Sequence, residues 1–264
     1  MTKIGDKVVW VTGASSGIGE ALVYELSKKE AKIVISARRK EMLEEVKRKC
    51  AHPDKILVLP LDLSKMEQFE EKVNVVIAHF GTIDLLFNNG GISQRSMALE
   101  TPLDVDRKIM EIDYFGTIAL TKAVAPHMVK QKSGHIAVTT SLVGKFGSPW
   151  RSSYAAAKHA LHGFFDSLRT ELHPDNVKVT LICPGFIKTD VSVNALGPDG
   201  KPTGEMDNAQ ANGMSASECA LKIIKAVEKE KLETVIGGTE RFGVLLKRFL
   251  PNVFAEIILK RNVR

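Results

Sequence analysis

The stretch KVVWVTGASSGIG, Lys7 to Gly19, decides the fold. Its first half is an apolar, β-branched run, too short for a helix, with the unbroken hydrophobicity of a strand buried on both faces. Such a strand implies a parallel sheet. Gly13, Gly17 and Gly19 follow, and then EALVYELSKKE, with Ala21, Leu22 and Leu26 at helical spacing. Glycines between a strand and a helix let the backbone approach a pyrophosphate, whose charge is favoured at the helix N-terminus. The spacing is G-x-x-x-G-x-G rather than G-x-G-x-x-G, and no lysine follows the last glycine, so the pattern also departs from a phosphate loop.

Outward from this turn, buried runs recur: Ala31 to Ala37, Ile56 to Asp62, Ile83 to Gly91, His135 to Ser141, Val177 to Gly185 and the shorter Glu233 to Gly237. Helical patterns lie between them, over about Lys40 to Cys50, from Ser64 as a cap to about Phe80, Pro102 to Gln131, Ser152 to about His173, and Ser215 to Glu230. The alternation predicts an α/β fold: a Rossmann-type doubly wound, seven-stranded parallel sheet with helices on both faces, in one domain spanning 1–264. Between the last two strands, Thr189 to Gly213 has almost no apolar periodicity and is rich in glycine and proline. It reads as a mobile substrate loop or lid, about 189–214.

At the end of the second strand, where a dinucleotide's adenosine ribose would lie, the chain offers Ser36, Arg38 and Arg39, with no acid before Glu41. Arginine suits the 2′-phosphate of NADP, whereas an acid would suit NAD; the bland alternative makes both arginines solvated helix-start residues. Asp62 ends the third strand, where it would receive an adenine amino group. Asn88, Asn89, Gly90 and Gly91 end the fourth, keeping the crevice open and tying adjacent strands or touching the ribose.

The chemistry is expected in SLVGKFGSPWRSSYAAAK, Ser141 to Lys158. Tyr154 and Lys158, four apart on one helix, share a face. An ammonium beside a phenol favours the phenolate, which moves its pKa from about 10 toward neutral pH and makes the tyrosine a poised proton donor. Leu142, Val143, Ser93, Trp150, Phe186 and the 189–213 loop are expected to form an apolar pocket.

Composition excludes disordered, collagenous and disulfide-rich classes. The net charge of +6 comes from basic residues interleaved with acidic ones on probable helices, so nucleic acid is not expected as a partner. Cys50, Cys183 and Cys219 share no metal spacing and read as reduced thiols of a cytoplasmic protein. Cys183 reads as a small core residue, and His159 and His162 as surface or subunit-interface residues; no metal is expected. No leader is legible before the first strand. The tail, about 240–264, is apolar with basic punctuation and reads as a helix pair packed on the domain or a neighbouring subunit, with peripheral membrane contact the less favoured reading.

TGASSGIG, NNGG, a serine ahead of YAAAK, and PGFIKT after the sixth strand together resemble the single-domain short-chain dehydrogenase/reductase family, over about Lys7 to Gly237. NNGG and the basic tail look like the branch of member-7-type carbonyl reductases. The resemblance implies hydride transfer between NADP(H) and a carbonyl or secondary alcohol. Tyr154 would be the acid or base, Lys158 its charge partner and ribose ligand, and Ser141 the donor to the substrate oxygen. Gly13, Ser15, Ser16, Gly17, Ile18 and Gly19 would line the pyrophosphate, Asp62 and Leu63 the adenine, Asn89 and Gly90 the ribose side, and Ile187 and Thr189 the nicotinamide amide. A homodimer or homotetramer is implied as well. Asp113, in EIDYFG, stands where the family has an asparagine of the proton path, and a carboxylate there would offset the charge of Lys158. It also leaves open a second function, a nicotinamide-nucleotide-binding regulator that uses catalysis little.

Overall fold

The computed structural model describes residues 2–260; residue 1 and residues 261–264, the end of the expected tail, lie outside the described part. Strands and helices alternate as β1 (Val8–Thr12), α1 (Gly17–Lys28), β2 (Lys32–Ser36), α2 (Lys40–Arg48), β3 (Ile56–Val58), α3 (Phe69–Phe80), β4 (Leu85–Asn88), α4 (Leu103–Met110), α5 (Thr117–Gln131), β5 (Gly134–Thr139), α6 (Ser152–Leu172) and β6 (Val177–Pro184). A small excursion follows, β7 (Ile187–Lys188), α7 (Asn208–Ala211) and β8 (Met214–Ser215), and then α8 (Ala216–Glu228), β9 (Glu233–Ile236), α9 (Phe242–Phe249) and α10 (Pro251–Lys260). Seven of the strands form one parallel sheet in the order β3-β2-β1-β4-β5-β6-β9. The order reverses between β1 and β4, and the crevice outside the strand ends at such a switch point is where ligands bind.

Alternation along β1 explains why both faces are covered. Val9 and Val11 join Leu22, Leu26, Ile223 and Val227 in one buried cluster. Val8 and Trp10 join Phe69, Val73, Val124, Leu161 and Phe165 in the other. Each such side chain contributes about 1.5–3 kcal/mol through burial. The Trp10 indole donates to Ser36 Oγ at 2.9 Å, and that hydroxyl donates to Leu59 O at 2.6 Å. Ser36 therefore serves the core and is not available to a ribose.

Several expected boundaries moved for local reasons. β3 stops at Val58 because Pro60 has no N–H, although Leu59 and Leu61 still donate to Ile35 and Ala37 carbonyls. Ser64 does not cap α3: its N–H and hydroxyl both donate to Asp62 Oδ1, and a 3-10 turn precedes the helix. Ser215 does cap α8, accepting from the Glu218 N–H at 3.2 Å. The expected helix from 102 to 131 is broken by a π-helical turn, Glu111–Gly116.

The segment after β7 is not a free loop. Leu196 N donates to Ser93 O and Arg95 N to Leu196 O, both at 2.8 Å, stapling it to the chain after β4. Asp207 is held by Arg95 and Arg151 at 2.8 Å each. Polar side chains replace the apolar periodicity a packed segment would show.

His135 on β5 is buried, with Nε2 2.8 Å from Thr180 Oγ1. The Thr180 hydroxyl donates to Lys231 O and so accepts from Nε2–H, while Nδ1 lies 3.2 Å from Thr2 Oγ1. Burial pulls His135 down to about 4 from its ordinary 6.5. Between those values the unfolded chain binds the additional proton, so the stability this neutral histidine confers is complete above about pH 6.5 and is lost as pH falls toward 4. About 3 kcal/mol is at stake. Urea midpoints across this window should show a His135→Gln variant with a shallower acid slope than the unmodified chain; parallel slopes would contradict the assignment.

Candidate active site

Gly13 turns the chain out of β1 with φ 65, and a Cβ there would lie 2.8 Å from the Gly90 Cα. A Cβ at Gly19 would lie 2.1 Å from the Gly13 carbonyl oxygen, so α1 can start this close only with glycine. Gly19 is thus a packing residue buried behind the turn, not a lining one. The Thr12 hydroxyl accepts from the N–H groups of Asn89 and Gly90, both at 3.0 Å. Asn89 Nδ2 donates to Thr12 O and its Oδ1 accepts from the Thr139 hydroxyl, so this one side chain ties the ends of β1, β4 and β5. Asn88 points elsewhere and donates to Thr121 on α5.

These strand ends open into a continuous cavity of about 1070 Å³. Along one side lie Gly13, Ser15, Ser16, Gly17, Ile18, Arg38, Arg39, Asp62, Leu63, Asn89 and Gly90. Ile187 and Thr189 close over them, with Thr189 set against Gly17. Burial acts upward on the Asp62 carboxyl, but the Ser64 hydrogen bonds and the charges of Arg38 and Lys65 outweigh it and hold the pKa below its ordinary value. Turning glycines, backbone N–H groups at the start of α1 and a basic pair at the end of β2 fit a nicotinamide dinucleotide.

The same cavity gathers Ser141, Tyr154, Lys158 and Asp113. Ser141 follows β5 in extended conformation; its Oγ accepts from Val143 N at 3.3 Å and donates to Pro184 O at 3.4 Å. Tyr154 and Lys158 stand one turn apart on α6, with the lysine Nζ 5.4 Å from the phenol ring centroid. Nζ donates to Thr139 O at 3.4 Å and lies 3.1 Å from Asp113 Oδ2, an ion pair hidden from solvent. The π turn brings Asp113 inward, a common setting for functional residues. Its Oδ1 accepts from Ile92 N at 2.7 Å.

Burial pushes Asp113 up, against the opposing pull of Lys158 and the Ile92 N–H. Burial pulls Lys158 down, but Asp113 and Tyr154 more than offset it, leaving the ammonium above its ordinary value. Lys158 is therefore firmly charged, and its charge is shared between a carboxylate and the phenol.

Of the expected pocket residues, Ser93, Leu142, Val143 and Phe186 line the cavity and Trp150 does not. Left-handed backbone at Trp150, φ 69, takes it to a separate depression of about 190 Å³ beside Met206 and Asp207. His162 is a second correction. It is buried rather than at the surface, with Nε2 3.8 Å from Cys183 Sγ and Nδ1 3.6 Å from Glu233 Oε2. Cys183 Sγ, one His162 ring nitrogen and a Glu233 carboxylate oxygen all lie within 4.8 Å of one another, a grouping of ligand types that the sequence spacing did not show. Cys183 is a core thiol, pushed up to about 12 by burial.

Other lining residues carry no local signature. Arg95 and Arg151 border the substrate side, so the expected apolar pocket has a cationic edge. Burial, with the neighbouring Arg95 charge, draws Arg151 down to about 10 despite Asp207. Glu240 accepts from the N–H groups of Phe186 and Gly238, fastening the tail to the β6 loop. Leu245, Leu246 and Phe249 from α9, Leu250 between the helices and Phe254 from α10 then wall the far end. Phe254 packs on Phe146 with ring centroids 4.9 Å apart. A tail that walls the cavity goes beyond the expected packing on the domain.

A family model described as short chain dehydrogenase matches residues 7–197. The chain is 44% identical to a dehydrogenase/reductase SDR family protein 7-like of Anopheles gambiae, over 98% of this chain and 84% of that protein. A short-chain dehydrogenase from Streptomyces avermitilis superposes with a TM-score of 0.82 at 28% identity, covering 96% of each chain. An enzyme of the same class from Burkholderia phymatum, solved in complex with NAD, has a TM-score of 0.84 at 22% identity, covering 100% of this chain and 98% of that one. With the glycine turn, the switch-point crevice and the Ser-Tyr-Lys cluster in one cavity, the chain belongs to the short-chain dehydrogenase family of nicotinamide-dependent oxidoreductases.

Proposed function

We propose that the chain is an NADP(H)-dependent carbonyl reductase acting on an apolar ketone or aldehyde. The observation that carries this reading is the meeting of Ser141, Tyr154 and the buried Lys158 with the glycine cradle in one cavity whose far end is apolar. Bound along the cradle, a nicotinamide nucleotide would supply or accept hydride. Ser141 would donate a hydrogen bond to the carbonyl oxygen, stabilising charge as it develops. Tyr154 would deliver the proton to that oxygen and, in the oxidative direction, take it back. Lys158 would steady the phenol's charge, held in place by Asp113 and the Thr139 carbonyl.

Preference for NADP rests on Arg38 and Arg39, exposed at the end of β2 and lining the cavity. Guanidinium groups match a phosphate monoester with paired, charge-assisted hydrogen bonds. Replacing both by alanine should weaken NADPH binding by about tenfold or more and change NADH binding by less than about twofold. Calorimetric titration with both nucleotides measures this, and equal losses would contradict recognition of the 2′-phosphate.

The competing reading, a nucleotide-binding regulator, drew on Asp113. Its carboxylate takes one Ile92 N–H that an asparagine oxygen would equally take, and its second oxygen pairs with Lys158 instead of displacing it. NADPH consumption against ketones, aldehydes and quinones separates the two readings: tight binding without turnover of any of them would favour the regulator.

A further inference from the structure

The helices that wall the cavity also expose apolar side chains, most of them at the rim of the cavity and two, Val253 and Leu259, away from it. Along α9, Phe242, Leu245 and Phe249 repeat at helical spacing and are each more than half exposed. Leu250, between the two helices, and Val253, Ile257 and Leu259 on α10 extend the surface. Isolated exposed apolar residues need no explanation, but a run of this length on two adjoining helices marks an interaction surface.

Charge identifies the partner. Arg241, Lys247, Arg248 and Lys260 border the apolar residues, and the one exposed acid on the two helices is Glu256. The nearby Glu240 is spent on the N–H groups of Phe186 and Gly238. The Arg248 guanidinium lies 6.0 Å from the Phe249 ring centroid and the Lys247 Nζ 5.9 Å from that of Phe254, so cationic heads sit beside aromatic bodies. A second copy of the chain laid on this face would bring like charges together. Anionic headgroups would neutralise them while the apolar residues enter the acyl boundary. No helix among the described residues is long and apolar enough to cross a bilayer.

We propose that α9 and α10 dock the protein on an anionic lipid bilayer, with the apolar end of the cavity facing the membrane. Phe242, Leu245, Phe249, Leu250 and Ile257 are exposed and also line the cavity, so a molecule dissolved in the bilayer would reach the cavity without crossing water. That last consequence rests on the proposed function; the docking does not.

The test is co-sedimentation of the whole chain with phosphatidylcholine vesicles, with and without phosphatidylserine. Binding should require phosphatidylserine. A Lys247→Glu/Arg248→Glu variant should bind at least about tenfold more weakly. Val253→Ser/Leu259→Ser, at positions outside the cavity wall, should also weaken binding several-fold while leaving the melting temperature and NADPH consumption unchanged. Failure of the unmodified chain to sediment, or binding indifferent to phosphatidylserine and to charge reversal, would overturn the proposal. So would a dimer in light scattering that Val253→Ser/Leu259→Ser dissolves, because a second copy would then own the face.

Discussion

Replacing Tyr154 with phenylalanine is expected to lower turnover by about a thousandfold while leaving NADPH affinity within about threefold. The substitution removes one hydroxyl and keeps the ring, so the contact between Lys158 and the aromatic face, 5.4 Å from Nζ to centroid, survives. Nothing else in the described part of the cavity takes over the proton. The Ser141 hydroxyl is too weak an acid to give up the proton it shares with the substrate oxygen, and the Lys158 ammonium is committed to Asp113 and Thr139. A proton positioned in the transition state is worth about 10²–10⁴ in rate, and the phenylalanine variant should forfeit most of it. Equal turnover in both proteins would remove Tyr154 from the chemistry.

The second large effect falls on stability as well as on activity. Lys158→Met keeps the length of the side chain but leaves Asp113 fully buried without its cation. Removing one partner of a buried pair typically costs about 3–5 kcal/mol. Burial, the leading influence on Asp113, would then act unopposed except by the Ile92 N–H and raise the carboxyl further. A folded-state pKa above the unfolded one favours folding below the unfolded value and loses that advantage as pH rises through the folded value. The deficit of Lys158→Met should therefore be smallest in acid and grow toward neutral pH. Denaturation of Lys158→Met and of Lys158→Met/Asp113→Asn measures it: the double variant should recover most of the stability and none of the turnover. If both variants are as stable as the unmodified chain at neutral pH, the ion pair has been misassigned.

How much of this was legible in the sequence depends on how local the cause is. β1, β2 and β4 are buried on both faces, so an unbroken apolar run is all they need to show. The glycine turn was readable because close approach there excludes a Cβ, a constraint that falls on the residue itself. Tyr154 and Lys158 were readable because they share a helix. The π turn at Glu111–Gly116 was not, since an i→i+5 ladder leaves no mark in apolar periodicity, and the partner that rewards it, Lys158, lies far along the chain. Trp150 misled because its position follows from one left-handed residue that is not glycine. Ser36 misled because the Trp10 indole, which claims its hydroxyl, comes from another strand. The packed course of the 189–213 segment depends on Arg95 and Arg151 reaching Asp207, a polar anchorage that sequence periodicity cannot report. The tail's amphipathic character was visible, but its place over the cavity is set by Glu240 and by Phe254 on Phe146.

The central claim is that the cradle at Gly13 and the phenol of Tyr154 serve one hydride and proton transfer. Its most direct measurement incubates the protein with an apolar ketone and NADPH deuterated at the transferring position, and reads the mass of the alcohol formed. The account predicts an alcohol carrying one deuterium on the former carbonyl carbon, produced by the unmodified chain and nearly absent with Tyr154→Phe. Alcohol formed without deuterium, or deuterated alcohol formed equally by both proteins, would contradict it.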